Sequence, residues 1–303
     1  MPQLDLLVLG DCNPDLLITG APDAQFGQRE RIVEDAKLVI GGSGAITACG
    51  AARLGLRTGL IGVIGDDFFG RFMRESLAER GVDISGLSVD GERPTGVSVV
   101  LVRGEDRAIL TALGTVEDLS AAGFEPAGLR ARHLHVGSFF LQRRLRGDLP
   151  ALLAAVRAAG TSTSIDANWD PEEEWVGGLL EALAETDILF ANGEETRRIA
   201  RNDDVNTAAR MLAETGPIVV VKLGQDGAIA VARDEIARAA ALEVDVVDTV
   251  GAGDSFDAGF LAGFLDARSL NQSLAFACAC GSLSTRAAGG TAAQPTLPEA
   301  MAA

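Results

Sequence analysis

The chain has 303 residues, 47% of them hydrophobic and 23% charged, the balance of a folded globular protein rather than a disordered one. With 26 Lys+Arg against 43 Asp+Glu it carries a formal charge of −17, which repels phosphate backbones and anionic lipid and argues against nucleic acid or a membrane as partner. Lys37 and Lys222 are the only lysines, and neither lies in a G-x-x-x-x-G-K-[ST] loop, so a P-loop nucleotide site is excluded.

The opening MPQLDLLVLGD carries an acid and no basic segment, so it does not read as a secretory leader, and no apolar run reaches the length of a membrane span. Cys12, Cys49, Cys278 and Cys280 form no C-x-x-C pair, which suits reduced thiols and a cytoplasmic setting. Leu4–Leu9 reads as a buried strand. Residues 11–38 are rich in charge and turn formers. A helix is predicted over Gly44–Leu54, a strand over Gly59–Ile64, and a helix over Gly70–Glu79 that Asp66-Asp67 would cap. Around 90–115 the pattern changes again: Thr95–Val102 alternates like a half-exposed strand, with Arg107–Leu113 as its hairpin partner.

Strands at His133–Val136, Ser164–Ile165, Ile188–Ala191 and Ile218–Leu223 then alternate with helices at Leu149–Ala159, Trp175–Ala184, Thr196–Ala200 and Thr207–Glu214. Glu172–Glu174 would be a solvated helix start. A last strand is predicted to end near Val247, with a helix beginning at about Asp254. This alternation predicts a single α/β domain over 1–303 with a mainly parallel sheet, and a small β flap built from about 11–38 and 90–115.

The strongest chemical signal is Asp248-Thr249-Val250-Gly251-Ala252-Gly253-Asp254-Ser255-Phe256. Gly251, Ala252 and Gly253 let backbone N–H groups approach an anion, and a helix N-terminus adds about half a positive charge there. A carboxylate on the rim of such a cradle is repelled by phosphate as a ligand. Asp254 makes sense as a general base toward a hydroxyl attacking that phosphate; the plain alternative is a capped strand-to-helix turn. Gly41 and Gly42 either let the backbone approach a ligand or make a tight turn. Asn13-Pro14-Asp15 is either a carboxylate reader of paired hydroxyls or an Asx turn. His133 and His135 share a strand face without a third metal ligand and read as packing residues, as do Cys278 and Cys280 in an Ala-rich helix. Phe139, at a strand end where α/β folds bind ligands, is a candidate substrate wall. The first strand ends Gly10-Asp11-Cys12-Asn13 with no G-x-G-x-x-G, which disfavours a Rossmann oxidoreductase.

DTVGAGDSFDAGFLAG closely resembles the C-terminal signature of the ribokinase-like (PfkB) carbohydrate kinase family. The N-terminal signature is matched by Gly41-Gly42-Ser43-Gly44-Ala45 and the run from Leu60 to Gly70, so the resemblance spans essentially the whole chain. It implies a three-layer α/β/α fold with a β lid, ATP as donor, Mg²⁺, K⁺, a sugar-like acceptor and a homodimer joined through the lid.

Residue by residue, the resemblance places Asn13 and Asp15 on substrate hydroxyls, with Gly41, Gly42 and position 46 beside them. Asn192 and Glu195 match an Asn-x-x-Glu motif whose Glu organises Mg²⁺. Lys222, Gly224 and Gly227 match the strand and turn near the ATP phosphates, with Thr249 at the nucleotide. Asp248, the Val250 carbonyl and the loop around Arg286–Gly290 match a monovalent-cation site. Two departures stand out. Ile46 occupies a position where ribokinases usually carry Asn, and Asp170, in Asp166-Ala167-Asn168-Trp169-Asp170, stands where Arg is common. The first puts ribose in doubt and the second argues against an anionic sugar. A nucleoside kinase and a catalytically silent sugar-binding regulator on the same fold remain the alternatives.

Overall fold

The computed structural model describes residues 3–20, 26–103, 106–122, 129–233 and 235–303. In chain order its elements begin β1 (Leu4–Leu9), β2 (Pro14–Thr19), β3 (Asp35–Ile40), α1 (Ser43–Arg53), β4 (Thr58–Gly65), α2 (Phe68–Glu79), β5 (Asp83–Asp90), β6 (Val97–Arg103) and β7 (Asp106–Ala112). They continue with β8 (Ala131–Val136), α3 (Leu149–Ala158), β9 (Ser162–Asp166), α4 (Leu179–Leu183), β10 (Ile188–Asn192), α5 (Gly193–Ala200), α6 (Val205–Ala213) and β11 (Ile218–Lys222). The chain closes with β12 (Ala228–Ala232), β13 (Glu235–Ala239), α7 (Ala252–Leu265), α8 (Leu270–Ser284) and α9 (Leu297–Ala302).

The main sheet runs β13-β12-β11-β10-β9-β8-β1-β4-β5. It is parallel from β5 to β11, and β12 and β13 add an antiparallel edge. Strands β1, β10 and β11 are mostly apolar because both faces are covered, while β8 and β9 pair their buried polar side chains with each other. In β1, Leu6 and Val8 enter one core while Leu7 and Leu9 enter the other. The first core packs α1, α2, α7 and α8, and the second packs α3 to α6, giving three layers. All strand-to-helix turns of the parallel part therefore open on one edge, where α/β sheets bind ligands.

The flap is present as a second sheet, ordered β3-β2-β6-β7. The predicted hairpin is there, with Val97 opposite Ala112 and Arg103 opposite Asp106. Leu17 and Val100 of this sheet pack on Val250, so the small sheet leans directly on the glycine turn before α7. Residues 21–25 and 104–105 of the two predicted flap stretches lie outside the described residues.

Several local expectations are corrected. No strand ends near Val247: residues 240–247 run past α8 without a strand partner, tied by Leu242 N–H to Ser282 Oγ and by Val247 N–H to the Thr285 carbonyl. The helix there starts at Ala252, so Asp254 is its third residue and Gly251 the cap. The helix predicted from Trp175 shrinks to Leu179–Leu183, and Glu172–Glu174 belong to a turn. The cause is Asp170, whose buried carboxylate accepts N–H bonds from Glu172, Glu174 and Trp175 and holds that turn open. Strands β5, β12 and β13 have no counterpart in the predicted elements. His133 and His135 are fully buried and bonded to Ser162 and Ser164, the packing role expected of them. All four cysteines are free and buried.

Because one carboxylate satisfies three backbone donors, Asp170→Ala is expected to cost about 1–3 kcal/mol in urea unfolding. A change under about 0.5 kcal/mol would show that the turn does not depend on it.

Candidate active site

The site begins where β1 ends against the start of α1. Gly42, the cap residue of α1, has no side chain to satisfy the helix's first amides. Asp11 does so from across the turn, accepting Ser43 N–H at 3.0 Å and Gly44 N–H at 2.9 Å. It also accepts the Ser138 hydroxyl at 3.1 Å, which in turn accepts from the Asn168 amide. Burial pushes the Asp11 carboxyl up, opposed by those bonds from Gly44, Ser138 and Ser43.

Asp254 faces this corner from the first turn of α7. Its Oδ1 accepts the Ser43 hydroxyl at 2.5 Å, and Thr47 Oγ1 donates to its carbonyl at 3.4 Å. Burial and the Asp166 charge push its carboxyl up to about 7, against the Ser43 bond and the Lys222 charge. Oxygens of Asp166, Asp254 and Asp257 all lie within 4.8 Å of one another, a spacing that also suits a metal ion. Here the ammonium of Lys222 takes that place, 3.0 Å from Asp257 and 3.4 Å from Asp166. Burial pushes the Asp257 carboxyl well above the ordinary carboxylate range, against the charge of Lys222 beside it. It opposes the low value of Asp166, which Lys222 and a hydrogen bond from Asp257 keep ionised. Burial also pulls Lys222 down, but Asp166, Asp257, Glu195 and Asp254 outweigh it and keep the ammonium charged.

Gly251 enters α7 with φ 71°, and a Cβ there would lie 2.5 Å from Gly290 Cα, so only glycine closes this turn. A Cβ on Gly253 would lie 3.4 Å from Lys222 Nζ, which places the ammonium against the cradle. The first-turn amides of α7 are left for an external acceptor by helix geometry, although Ala252 N–H already donates to Thr249.

On the small-sheet side, Asp15 lies flat against Gly41, where a Cβ would sit 2.0 Å from its Oδ1. Burial and the charges of Asp11 and Asp254 raise Asp15 to about 7. Asn13 donates to Ser98 Oγ at 3.3 Å, and Ser98 pairs with Thr111 at 3.0 Å, fixing the floor of β2 to β6 and β7. Arg107 of β7 reaches the cradle and donates to Thr249 Oγ1 at 2.8 Å. A cleft of about 850 Å³ opens beside these groups, and Arg107, Lys222, Gly224, Gly227, Asp248, Thr249, Ala252 and Gly253 line it.

Most predicted residues thus converge from five segments of the chain. Asn192 and Glu195 form a reciprocal capping box at α5, with Glu195 N–H to Asn192 Oδ1 at 2.9 Å and Asn192 N–H to Glu195 Oε2 at 2.7 Å. Glu195 is buried and raised to about 7 by that burial and by Asp166. Asp248 accepts Val250 N–H at 3.0 Å and Gly289 N–H at 2.8 Å, joining the cradle to the loop after α8. Arg286 in that loop is exposed, and its guanidinium donates to the Leu283 carbonyl. Ile46 is buried against Gly290, and its carbonyl accepts from Gln294.

Phe139 is corrected: it is fully buried in the second core, edge-on to Phe140 at 5.2 Å, and offers no wall to a ligand. Asp11, Ser43 and Arg107 were not among the predicted site residues. The signal for Asp11 was an acid placed two residues past the end of a buried strand. Arg107 had no local signal, because only the hairpin brings it to Thr249.

These elements recur in known proteins. The model of the pfkB family carbohydrate kinases matches residues 3–297. The chain is 34% identical to a fructokinase of Klebsiella pneumoniae, across 95% of each chain. It is likewise 34% identical to an ATP-dependent ribose-1-phosphate kinase of Halopiger xanaduensis, covering 80% of this chain and 79% of that one. Among solved structures, an E. coli protein assigned as a ribokinase II, in complex with ATP and Mg²⁺, superposes with a TM-score of 0.86 at 25% identity, covering 99% of this chain and 98% of that one. With the glycine cradle, the parallel sheet and the small second sheet all in place, the chain belongs to the pfkB family of carbohydrate kinases, with their ribokinase-like fold.

Proposed function

We propose that this kinase transfers the γ-phosphoryl group of ATP to a hydroxyl of an uncharged sugar of the fructose class, with Asp254 as general base. The observation that carries the reading is the position of Asp254: a carboxyl near pKa 7, gripped by Ser43, at the N-terminus of a glycine-capped helix. Such a group is half ionised at neutral pH and can accept the hydroxyl proton as the oxygen attacks phosphorus. The proton ends on Asp254, the new O–P bond forms, and ADP leaves. The amides of Gly251, Gly253 and Asp254, with the dipole of α7, offset charge on the transferring group, while Ala252 N–H holds the turn through the Thr249 carbonyl.

Asp15 and Asn13 orient the acceptor, with Gly41 and Gly42 allowing close approach. The crowd of acids at Asp11, Asp15 and Asp254 disfavours a sugar that already bears a phosphate. The fructokinase relatives, and Ile46 in place of an amide, support a ketohexose over ribose. Arg107, Lys222, Gly224, Gly227 and Thr249 hold the nucleotide side. The small sheet acts as a lid, since its strands carry both Asp15 and Arg107 and its closure would exclude water. The family setting and the buried, unpaired cysteines support a cytoplasmic enzyme.

The residues fit two cations. Glu195, with Asn192, would hold Mg²⁺ through its waters; the ion supplies charge neutralisation between phosphates. The Asp166–Asp257 pair is not that site, because Lys222 already neutralises it. Asp248, the Val250 carbonyl and the loop from Arg286 fit K⁺, since Asp248 draws both segments together.

Asp254→Asn is expected to cut turnover with fructose by about 10²–10⁴ and leave the ATP Kd within a few-fold. Wild-type kcat/KM should fall tenfold per pH unit below about 7, and turnover retained in the variant would remove Asp254 as base. Stability moves the other way. Because the folded pKa lies above the unfolded one, this carboxyl's contribution is full below the unfolded value and is lost as pH rises through about 7. The Asn variant should therefore melt higher than wild type at pH 8 and no higher at pH 4.

Asp15→Ala should raise the fructose KM about 10–100-fold with the ATP KM nearly unchanged; equal effects on both would reject its role. Potassium should activate relative to choline at equal ionic strength, and indifference would reject the Asp248 site. Ile109 and Leu110 of β7 are 54% and 63% exposed on the edge strand of the small sheet, which supports a lid-to-lid homodimer. Light scattering should give twice 31.4 kDa for wild type and the single mass for Leu110→Glu. A monomeric wild type at micromolar concentration would overturn the dimer.

A further inference from the structure

We infer that this protein phosphorylates itself: with ATP bound and no sugar present, the γ-phosphoryl group passes to the Ser43 hydroxyl. This rests on the kinase reading above, in which Asp254 is the base and the glycine turn holds the transferring group. A single hydrogen bond carries the inference. Ser43 Oγ donates to Asp254 Oδ1 at 2.5 Å, the bond that an acceptor hydroxyl makes before it attacks. With no sugar in place, the base holds a hydroxyl that belongs to the protein.

Neighbouring hydroxyls are directed elsewhere. Thr47 Oγ1 donates to the Asp254 carbonyl and not to its carboxylate. Ser255 Oγ accepts from Gln294, Thr249 Oγ1 accepts from Arg107, and Ser138 Oγ donates to Asp11. Among the described residues, Ser43 is thus the hydroxyl on the Asp254 carboxylate, with Asp166 Oδ2 at 3.5 Å as a second acceptor. It is also fixed in place, as the first residue of α1 with its N–H held by Asp11 at 3.0 Å. A hydroxyl held on the base has the advantage of an intramolecular reactant over dissolved ones. Ser43 is buried, so a separate kinase has no access to it, whereas a nucleotide at the glycine turn lies beside it.

The step balances. Asp254 takes the Ser43 proton, a bond forms between Oγ and the γ-phosphorus, the bond to the bridging oxygen breaks, and ADP leaves. The phosphoserine carries about two negative charges. Lys222 beside Gly253 and the first turn of α7 offset that charge, against Asp11 and Asp166. A phosphate on Ser43 fills the place on Asp254 that the sugar hydroxyl needs. The modified protein is therefore silent as a sugar kinase, and bound sugar protects by taking Asp254 for itself.

The test incubates the purified protein overnight with ATP and Mg²⁺, with and without saturating fructose. Intact mass, phosphopeptide mapping and residual sugar-kinase activity are read. Without sugar, one phosphoryl group is expected on Ser43, with activity lost in the same proportion. The rate per molecule should not change with protein concentration. Fructose should prevent the modification, and Asp254→Asn should slow it by about 10²–10⁴. No phosphate on Ser43, a phosphate placed elsewhere, or a rate that rises with protein concentration would each overturn the inference. So would an undiminished rate in Asp254→Asn, or modification undiminished by fructose that is itself being phosphorylated. The site is mapped in the wild type, so the result does not depend on a variant folding. Sugar phosphate formed beside unmodified Ser43 overturns this inference alone; if neither product forms, the kinase reading fails with it.

Discussion

Five carboxylates, those of Asp11, Asp15, Asp166, Asp254 and Asp257, crowd into one corner of the molecule with a single ammonium, that of Lys222, among them. Burying that much like charge is costly, and the surrounding structure can be understood as the means of supporting it. Asp11 is taken up by the first amides of α1, Asp15 by the small sheet's hydroxyls, and Asp166 and Asp257 by Lys222 and by each other. Asp254 receives a serine hydroxyl and the weak field of one lysine already shared by its neighbours. Like Asp15, it is raised to about 7, because these partners only partly offset its burial. The same imbalance that strains the fold leaves this carboxyl able to gain and lose a proton near neutrality.

The fold makes this arrangement possible through two helix N-termini brought face to face. The helix α1 starts after β3, beside the turn that follows β1, and its first turn meets that of α7 at Ser43 and Asp254. Close approach depends on missing side chains: Gly41 gives Asp15 its place, and Gly251 lets the turn pass Gly290. The small sheet then spans both halves of the site, with Asp15 on β2 and Arg107 on β7, while Leu17 and Val100 rest on Val250 of the cradle. A movement of that sheet would shift acceptor and donor contacts together, which is a physical basis for coupling sugar binding to closure.

An acidic protein that handles a triphosphate presents an apparent conflict. The structure resolves it locally. The cleft carries Arg107 and Lys222 beside the first turn of α7, against Glu243 and Asp248 on the same lining.

Much of this was legible in the sequence for identifiable reasons. The apolar runs of β1, β4, β10 and β11 stand out because both faces of those strands are buried, so their positions are readable from composition. The glycine cradle and Asp254 are contiguous, and a contiguous motif does not need a fold to be recognised. Where contacts are remote, local pattern misled. Trp175 sits in a helical pattern, yet Asp170 takes three backbone donors and delays the helix to Leu179. Phe139 stands at a strand end but turns into the core against Phe140. The sequence by itself determined the fold class, the family and the position of the glycine turn before α7, because each is written in neighbouring residues. Only the tertiary structure decided that Lys222 serves Asp166 and Asp257, that Asp11 caps α1, and that Arg107 reaches Thr249. Those pairings join residues far apart in the chain, and their energies depend on burial and distance, which no local pattern encodes.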